Sequence, residues 1–156
     1  MYKISVPVMN ANVTRCGREK VLKELKRFDT ERVFLALDRY EADKEKRRQV
    51  MKELRENCAY FKANGFEVGA WVWALMINGD NNYTCMRTIN GTELRENICP
   101  LDEEFVEFAA GYIRDIAETG VNIIQFDDDF RYGFLGDSPR LPVRQAHSGN
   151  MQTDGR

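Results

Sequence analysis

The chain has 156 residues, of which 43% are hydrophobic and 31% are charged, and its formal net charge is −2. This length and composition are typical of one globular domain, and the small negative charge removes any electrostatic case for nucleic acid or an anionic membrane as a partner. No apolar run approaches membrane-spanning length, and the single histidine, His147, nearly excludes histidine-based metal sites and catalytic triads.

Strand-like and helix-like patterns alternate along the chain. In chain order we predict a strand at residues 2–8, a helix at 18–28, a strand at 32–37, a helix at 43–64, a strand at 66–75, a helix at 103–119 and a strand at 121–127. A polar loop is expected at residues 10–15. The long connection at residues 76–100 contains Asn90-Gly91 between two strand-like stretches, which predicts a hairpin. Asp102 has the position of a helix N-cap.

The order βαβαβαβ, with helices of crossover length, predicts parallel strands joined by right-handed connections. Four such strands fit half of a (β/α)8 barrel, also called a TIM barrel, or part of a doubly wound sheet. The first strand is not followed by a glycine-rich phosphate turn, and neither GxGxxG nor GxxxxGK[ST] occurs in the chain. The nucleotide-binding version of the doubly wound fold is therefore disfavoured.

Residues 121–131, VNIIQFDDDFR, run from an apolar strand directly into three aspartates and an arginine. Alternate residues of a strand point to opposite faces, so Asp127 and Asp129 share one face if the backbone stays extended, while Asp128 points away. Adjacent like charges repel, and a cation, a substrate or Arg131 is expected to balance them. We interpret the aspartates as part of a site, in preference to a solvated acidic turn that caps a helix.

Polar and aromatic residues also close the earlier strands. Asp38 and Arg39 end the second strand, and Asp38 has the same phase there as Asp127 has on the fourth strand. Trp73 lies at the end of the third strand, where an indole could stack on a ligand or belong to the core. Asn10 follows the first strand and is a further candidate, although it is out of phase with the inward residues.

The amino-acid composition of the chain changes from Gly136 onward. Residues 136–156 contain few apolar side chains, and these show neither helical nor strand periodicity. We therefore expect a domain at residues 1–135 and a disordered tail at residues 136–156. Because the tail begins where a barrel needs its next helix, we expect a truncated, split or frame-shifted reading frame. The alternative is an ordinary flexible C-terminus on a small complete α/β protein.

Five stretches together carry a family resemblance. They are SVPVMNANVTR after the first strand, LALDRY at the second, GAWVWAL at the third, MRTINGTELRENICPLDEEF in the long connection and QFDDDFR at the fourth strand end. In this order they resemble the N-terminal half of the (β/α)8-barrel glycoside hydrolases, including bacterial families. The likeness covers residues 2–135, and the order of the stretches carries it.

The resemblance implies an active site at the C-terminal ends of the strands. Many such enzymes place a catalytic carboxylate at strand four, where Asp127, Asp128 and Asp129 stand here. Aspartate replaces the glutamate of the commonest barrel class, so its role as acid/base or as nucleophile stays open. Glycoside hydrolysis needs a second carboxyl group, which full barrels take from a later strand. The implied substrate-binding residues are Asn10, Asp38, Arg39, Trp73 and Arg131.

Two other functions remain open. A half-barrel could bind carbohydrate through Asp38, Trp73 and Arg131 without chemistry, or Asp127 and Asp129 could hold Mg²⁺, which prefers oxygen ligands. Carbohydrate is the expected partner in the hydrolase and carbohydrate-binding interpretations, with no cofactor, nucleic acid or membrane, and self-association through exposed sheet edges is also expected. The four cysteines form no CxxC pair, so we expect reduced thiols and a cytoplasmic protein.

Overall fold

The computed structural model describes residues 3–87 and 91–127, together with the two short pairs 134–135 and 138–139. The strands are β1 (Ser5–Met9), β2 (Arg32–Ala36), β3 (Tyr40–Glu41), β4 (Glu67–Val72), β5 (Ile77–Asn78), β6 (Cys85–Arg87), β7 (Glu93–Ile98), β8 (Ile123–Phe126), β9 (Phe134–Leu135) and β10 (Ser138–Pro139). The helices are α1 (Asn10–Cys16), α2 (Arg18–Arg27), α3 (Lys44–Ala63) and α4 (Glu103–Glu118).

The main sheet has four parallel strands in the order β1-β2-β4-β8, so neighbours in the sheet are also consecutive major strands along the chain. Shorter pairs surround it. β3 pairs in parallel with β5, and β6 pairs with β7 in an antiparallel hairpin. The predicted mixed α/β fold, built on a parallel four-stranded sheet, is confirmed.

One face of this sheet carries the hydrophobic core. Its register aligns Val33 with Val68 and Leu35 with Ala70, and all four side chains are buried. Helix α3 supplies a fully buried stripe that includes Leu54 and Phe61. Alternation along the strands places every second residue on this face, which accounts for the apolar periodicity of the sequence.

The opposite face, which we call the second face, is defined by two rows of aligned residues. One row holds Pro7, Phe34, Gly69 and Ile123, and the next holds Met9, Ala36, Trp71 and Gln125. A third row lies at the amino ends of the strands, where Glu67 accepts hydrogen bonds from Lys3 and Arg32, each at 2.8 Å. The second face is therefore charged at its amino end and mainly apolar in its middle.

The polar loop expected at residues 10–15 is wrong, because α1 occupies Asn10–Cys16. Val13 on this helix is fully buried, so one apolar anchor suffices to fold an otherwise polar stretch onto the core. The third major strand ends at Val72, three residues earlier than expected, and the chain then turns before β5 pairs with β3.

Two predicted helix boundaries and the hairpin are confirmed. Asp43 caps α3 and Asp102 caps α4, each through its side chain. In the hairpin, Gly91 has a φ of 82°, a left-handed value that favours glycine. Of the tail expected to be disordered, only Ser138–Pro139 is described, paired with Phe134–Leu135; the remainder of that prediction lies outside the described residues. No described helix is long and apolar enough to span a membrane.

Candidate functional site

Three of the candidate residues stand at the same edge of the sheet. Asp38, Trp73 and Asp127 follow the carboxyl ends of β2, β4 and β8, which are neighbours in the sheet. The ladder continues up to this edge, because the Leu37 N–H donates to the Trp71 carbonyl at 2.8 Å and the Asp127 N–H donates to the Val72 carbonyl at 2.9 Å. The three residues therefore continue the second face by one further row, which we call the candidate row.

The row places an indole between two carboxylates. The Asp38 side chain is 56% exposed, whereas Trp73 and Asp127 are half-buried. Neighbouring strands lie about 4.8 Å apart, so the backbones at Asp38 and Asp127 are separated by roughly 10 Å. Such a spacing leaves room for a ligand over Trp73 that hydrogen-bonds to acceptors on both sides.

Arg39 adds a cation to this edge. Its side chain is largely shielded from solvent, and its Nε atom lies 4.0 Å from an Asp38 carboxylate oxygen, which is the long limit of an ion pair. An arginine offers five N–H donors in a fixed plane and accepts no hydrogen bond. Together with the carboxylates, it provides both donors and acceptors for a polar ligand.

Asn10 is not brought into this group. It begins α1 and is buried, and its side-chain oxygen accepts a hydrogen bond from Asn57 Nδ2 at 2.9 Å. Asn57 is itself fully buried on α3, and its oxygen accepts from Arg18 Nε at 2.7 Å. The structure thus uses Asn10 to tie α1 to α3 within the helical layer.

The remaining candidates, Asp128, Asp129 and Arg131, lie outside the described residues. The magnesium interpretation needs Asp129 and stays a prediction for the same reason. Within residues 3–87 and 91–127, no group of three histidine, cysteine or acidic side chains is arranged to hold a metal ion.

Two aromatic residues of the second face, Phe34 and Trp71, lie in the two rows next to the candidate row. The Phe34 ring covers Gly69 so closely that a Cβ atom on Gly69 would stand 2.4 Å from Phe34 Cε1. Trp71 occupies the next row, directly below Trp73 in strand phase, and its Nε1 atom is buried with no hydrogen-bond partner among the described residues. Side chains of strongly different size therefore interlock on neighbouring strands of the second face.

Sequence reasoning missed a polar cavity at the same end of the sheet. It has a volume of about 450 Å³, it lies between the loop after β5 and the hairpin, and its lining includes Asn78, Asp80, Asn82, Glu93 and Arg95. The sequence signal was the run GDNNY at residues 79–83, in which polar and turn-forming residues cluster after a short strand. The cavity adds amide and charged groups to the surroundings of the candidate row.

Asp102 fixes the connection that surrounds this cavity. Its carboxylate accepts from the Phe105 N–H at 2.9 Å, as a helix cap, and from the Thr84 N–H at 2.6 Å. Burial alone would raise the pKa of Asp102, but the backbone hydrogen bonds from Thr84 and Phe105 outweigh it and hold that pKa below 3.8. Asp102 is therefore an ionised structural link at neutral pH.

The buried phenols nearby cannot act as bases at physiological pH. Burial raises the pKa of Tyr40 to about 12 and also raises the pKa of Tyr112 well above its ordinary value. Both rings belong to an aromatic cluster with Phe105, with centroid distances of 5.7 Å from Tyr40 to Phe105 and 5.1 Å from Tyr40 to Tyr112. These residues support the sheet edge by packing, and among the candidates the ionisable groups suited to acid or base chemistry are the carboxylates.

Comparison of the chain with protein-family models, with curated proteins and with solved structures gives no match. The function is therefore inferred from the geometry of this edge and from general chemistry.

Proposed function

We propose that the chain is a half-barrel of glycoside-hydrolase type that binds carbohydrate at the carboxyl edge of its sheet. The observation that carries the proposal is the half-buried Trp73 with Asp38 and Asp127 on the two adjacent strands. Asp127 is the carboxylate assigned to chemistry, and Asp38, Arg39 and Trp73 are assigned to substrate binding. Asp128, Asp129 and Arg131 remain candidates on the segment that follows.

A sugar fits the chemistry of this row. Its ring presents a flat patch of C–H groups that can pack on an aromatic face, and its hydroxyls can donate to carboxylates. Arg39 supplies donors for the sugar oxygens, and the asparagine-rich cavity after β5 can take hydroxyls of a longer ligand. Pockets that combine an apolar surface with a few convergent polar groups are typical ligand sites.

The layered second face supports the barrel part of the proposal. The interior of a (β/α)8 barrel is filled by rows of side chains that neighbouring strands contribute. Here the rows alternate in size, since Phe34 lies against Gly69 and Trp71 is aligned with Ala36. The sheet order follows chain order, as in a barrel, and the active edge of such a barrel is the carboxyl edge that holds the candidate row.

Hydrolysis needs more than this row provides. Two carboxyl groups must flank the glycosidic bond, at about 5–5.5 Å for retention or about 6.5–9.5 Å for inversion. The roughly 10 Å between the backbones at Asp38 and Asp127 is wide for retention and at the upper end for inversion, and the 56% exposed side chain of Asp38 is assigned to a sugar hydroxyl, so the row supplies one catalytic carboxylate. We therefore assign binding to the row as described, and chemistry to an assembly that brings a second carboxyl group to the opposite side of the bond.

Calorimetric titration with neutral cello-, xylo- and manno-oligosaccharides tests the proposal. At least one of these probes should bind the full chain, and Asp38→Asn and Asp127→Asn should each weaken it about tenfold, as expected for loss of a charged hydrogen-bond acceptor. Asp29→Asn is the matched control, because Asp29 lies in the turn before β2, at the amino edge of the sheet, and asparagine tolerates its φ of 48°. Absence of binding by every probe, or equal effects of all three variants, would contradict the proposal.

A further inference from the structure

We infer that two copies of this chain associate edge to edge, with β8 of each copy pairing in parallel with β1 of the other. The result is a closed ring of eight parallel strands. The surfaces that meet are the two edges of the sheet, and their pairing does not depend on the identity of the ligand.

The two edges of the sheet are open in the part of the chain that the structure describes. There β1 pairs only with β2, and β8 pairs only with β4. An edge strand presents a line of N–H and C=O groups that can pair with another strand. Because β1 and β8 run in the same direction, a further strand keeps the sheet all-parallel only when it also runs in that direction.

Exposed apolar side chains are concentrated next to these two edges. Within the described residues, the large hydrophobic side chains that stand out in solvent are Ile4, Met9, Phe28, Leu101, Val106 and Phe126. Ile4 directly precedes β1, Met9 ends it and Phe28 directly follows α2. Leu101 lies in the turn before α4, Val106 lies on α4 and Phe126 ends β8. The central strands β2 and β4 and helix α3 contribute none to this set, so the exposed apolar surface marks the two ends of the sheet.

An apolar groove lies beside β8. Its volume is about 430 Å³, and it runs along the flank of α4 past Val106, Ala109 and Ile113 to Phe126. Its floor includes Leu75, which belongs to the buried core. This flank faces the position that the next helical layer takes when a parallel sheet continues in the same order. The helices that follow β1 in the second copy would supply that layer.

A second copy is the occupant that satisfies both edges at once. It offers β1 to the β8 edge and β8 to the β1 edge, with its helices on the same side of the sheet. Two four-stranded units contain eight strands, the number at which a parallel βα barrel closes with its interior filled by side chains. Closure by two copies also limits growth, whereas a head-to-tail contact that fails to close produces filaments.

The ring has a consequence for the candidate row. It brings the strand-end carboxylates of the second copy to the other side of the barrel mouth, so Asp38 and Asp127 of one copy face those of its partner. This consequence rests on the proposed function, whereas the association itself does not. Sugar binding by a monomeric variant and association of the native chain are therefore separate readouts.

Sedimentation equilibrium of the full chain tests the association. The native chain should be a dimer, and Phe126→Lys at the end of β8 and Met9→Glu at the end of β1 should each raise the dimer Kd at least tenfold. Ala59→Lys is the matched control for the first of these variants, since it adds the same cation at an exposed position on α3. This control should leave the dimer Kd unchanged.

An equimolar mixture of Gln125→Lys and Met9→Glu tests which strands meet, because Gln125 and Met9 both lie on the second face and in the same row. In a mixed dimer, the lysine introduced by Gln125→Lys at the end of β8 of one copy lies on the same side of the sheet as the glutamate introduced by Met9→Glu at the end of β1 of the other copy. These opposite charges attract, and the second interface of the same ring keeps its native residues. The mixture should therefore form dimers at concentrations at which each variant alone is monomeric.

Circular dichroism and the unfolding midpoint of each variant check that loss of the dimer does not reflect unfolding. Where Phe126→Lys fails to fold, Val106→Lys takes its place, because Val106 is half exposed on α4. A native chain that stays monomeric would overturn the inference. Mixed variants that remain monomeric would exclude contact between β8 and β1, and oligomers that grow with concentration would exclude a closed ring.

Discussion

At the scale of single residues, the second face depends on the pairing of Phe34 with Gly69. A Cβ atom on Gly69 would stand 2.4 Å from the Phe34 ring, a distance that packing does not allow. Gly69→Ala must displace the ring, and overpacking of this kind costs about 1–3 kcal/mol. Urea denaturation should show this loss in the free energy of unfolding.

Gly111→Ala is the matched control for that substitution. Gly111 lies within α4, and a Cβ atom there would meet only Arg47 Nη2 at 3.7 Å, an ordinary contact. Alanine is favoured over glycine in a helix by up to about 1 kcal/mol, so this variant should be as stable as the native chain or more so. Equal destabilisation by both substitutions would contradict the packing described for the second face.

Asn57 tests the structural role of Asn10. Asn57→Ala removes the donor to Asn10 and the acceptor for Arg18 inside the helical layer. Leaving buried polar groups without partners costs about 1–3 kcal/mol, whereas Gln49→Ala on the exposed side of the same helix should change stability by less than about 0.5 kcal/mol. Oligosaccharide affinity should stay unchanged in Asn57→Ala, and a tenfold loss of affinity in a folded variant would return Asn10 to the binding site.

At the scale of elements, Asp102 joins the start of α4 to the connection before it. Asp102→Ala loses the helix cap, which contributes about 0.5–2 kcal/mol, and also the bond from Thr84. Asp102→Asn keeps a capping oxygen and should be close to the native chain at neutral pH. Thermal unfolding at pH 7 should therefore rank the alanine variant below the asparagine variant.

The same pair of variants reports the ionisation of Asp102. Because its folded-state pKa is held below the ordinary value of 3.8, its contribution is present at neutral pH and is lost as the pH falls through the lowered pKa. Asp102→Asn should flatten this part of the acid-unfolding curve. A curve that matches that of the native chain would show that Asp102 is not held as an ion.

Long elements were predictable because their burial leaves a period in the sequence. Helices α3 and α4 show apolar side chains at helical spacing and aspartate caps, and β2 is an almost continuous apolar run. Helix α1 was not predictable, because Val13 is its one buried apolar residue and its asparagines and threonine are typical of loops. The two-residue strands β3 and β5 are too short to carry any period.

The candidate row was partly predictable for a related reason. Strand phase alone places Asp38, Trp73 and Asp127 on one face, and parallel order places them at one edge. The position of Asn10 could not be read in this way, since it depends on a hydrogen bond to Asn57, which is distant in sequence. The polar cavity after β5 depends likewise on the docking of the hairpin.

At the scale of the whole molecule, we predict that a monomer does not hydrolyse glycosides. The proposed function assigns one catalytic carboxylate, Asp127, to this chain, and a second carboxyl group must stand on the other side of the bond. A monomeric edge variant such as Phe126→Lys should therefore show no turnover on a panel of aryl glycosides. Turnover by a clean monomer that disappears in Asp127→Asn would show that this chain already carries both carboxyl groups.

The most direct test of carbohydrate binding at the carboxyl edge uses the two tryptophans of the chain. In a ¹H–¹⁵N spectrum each indole gives its own Nε1–H signal, and Trp71→Phe and Trp73→Phe assign the two. On titration with the oligosaccharide that binds best, the chemical shift of the Trp73 Nε1–H signal should change as the site fills. The signal of Trp71, which lies one row farther from the carboxyl edge, should change less. A Trp73 signal that stays unchanged at saturation would contradict binding of carbohydrate at this edge.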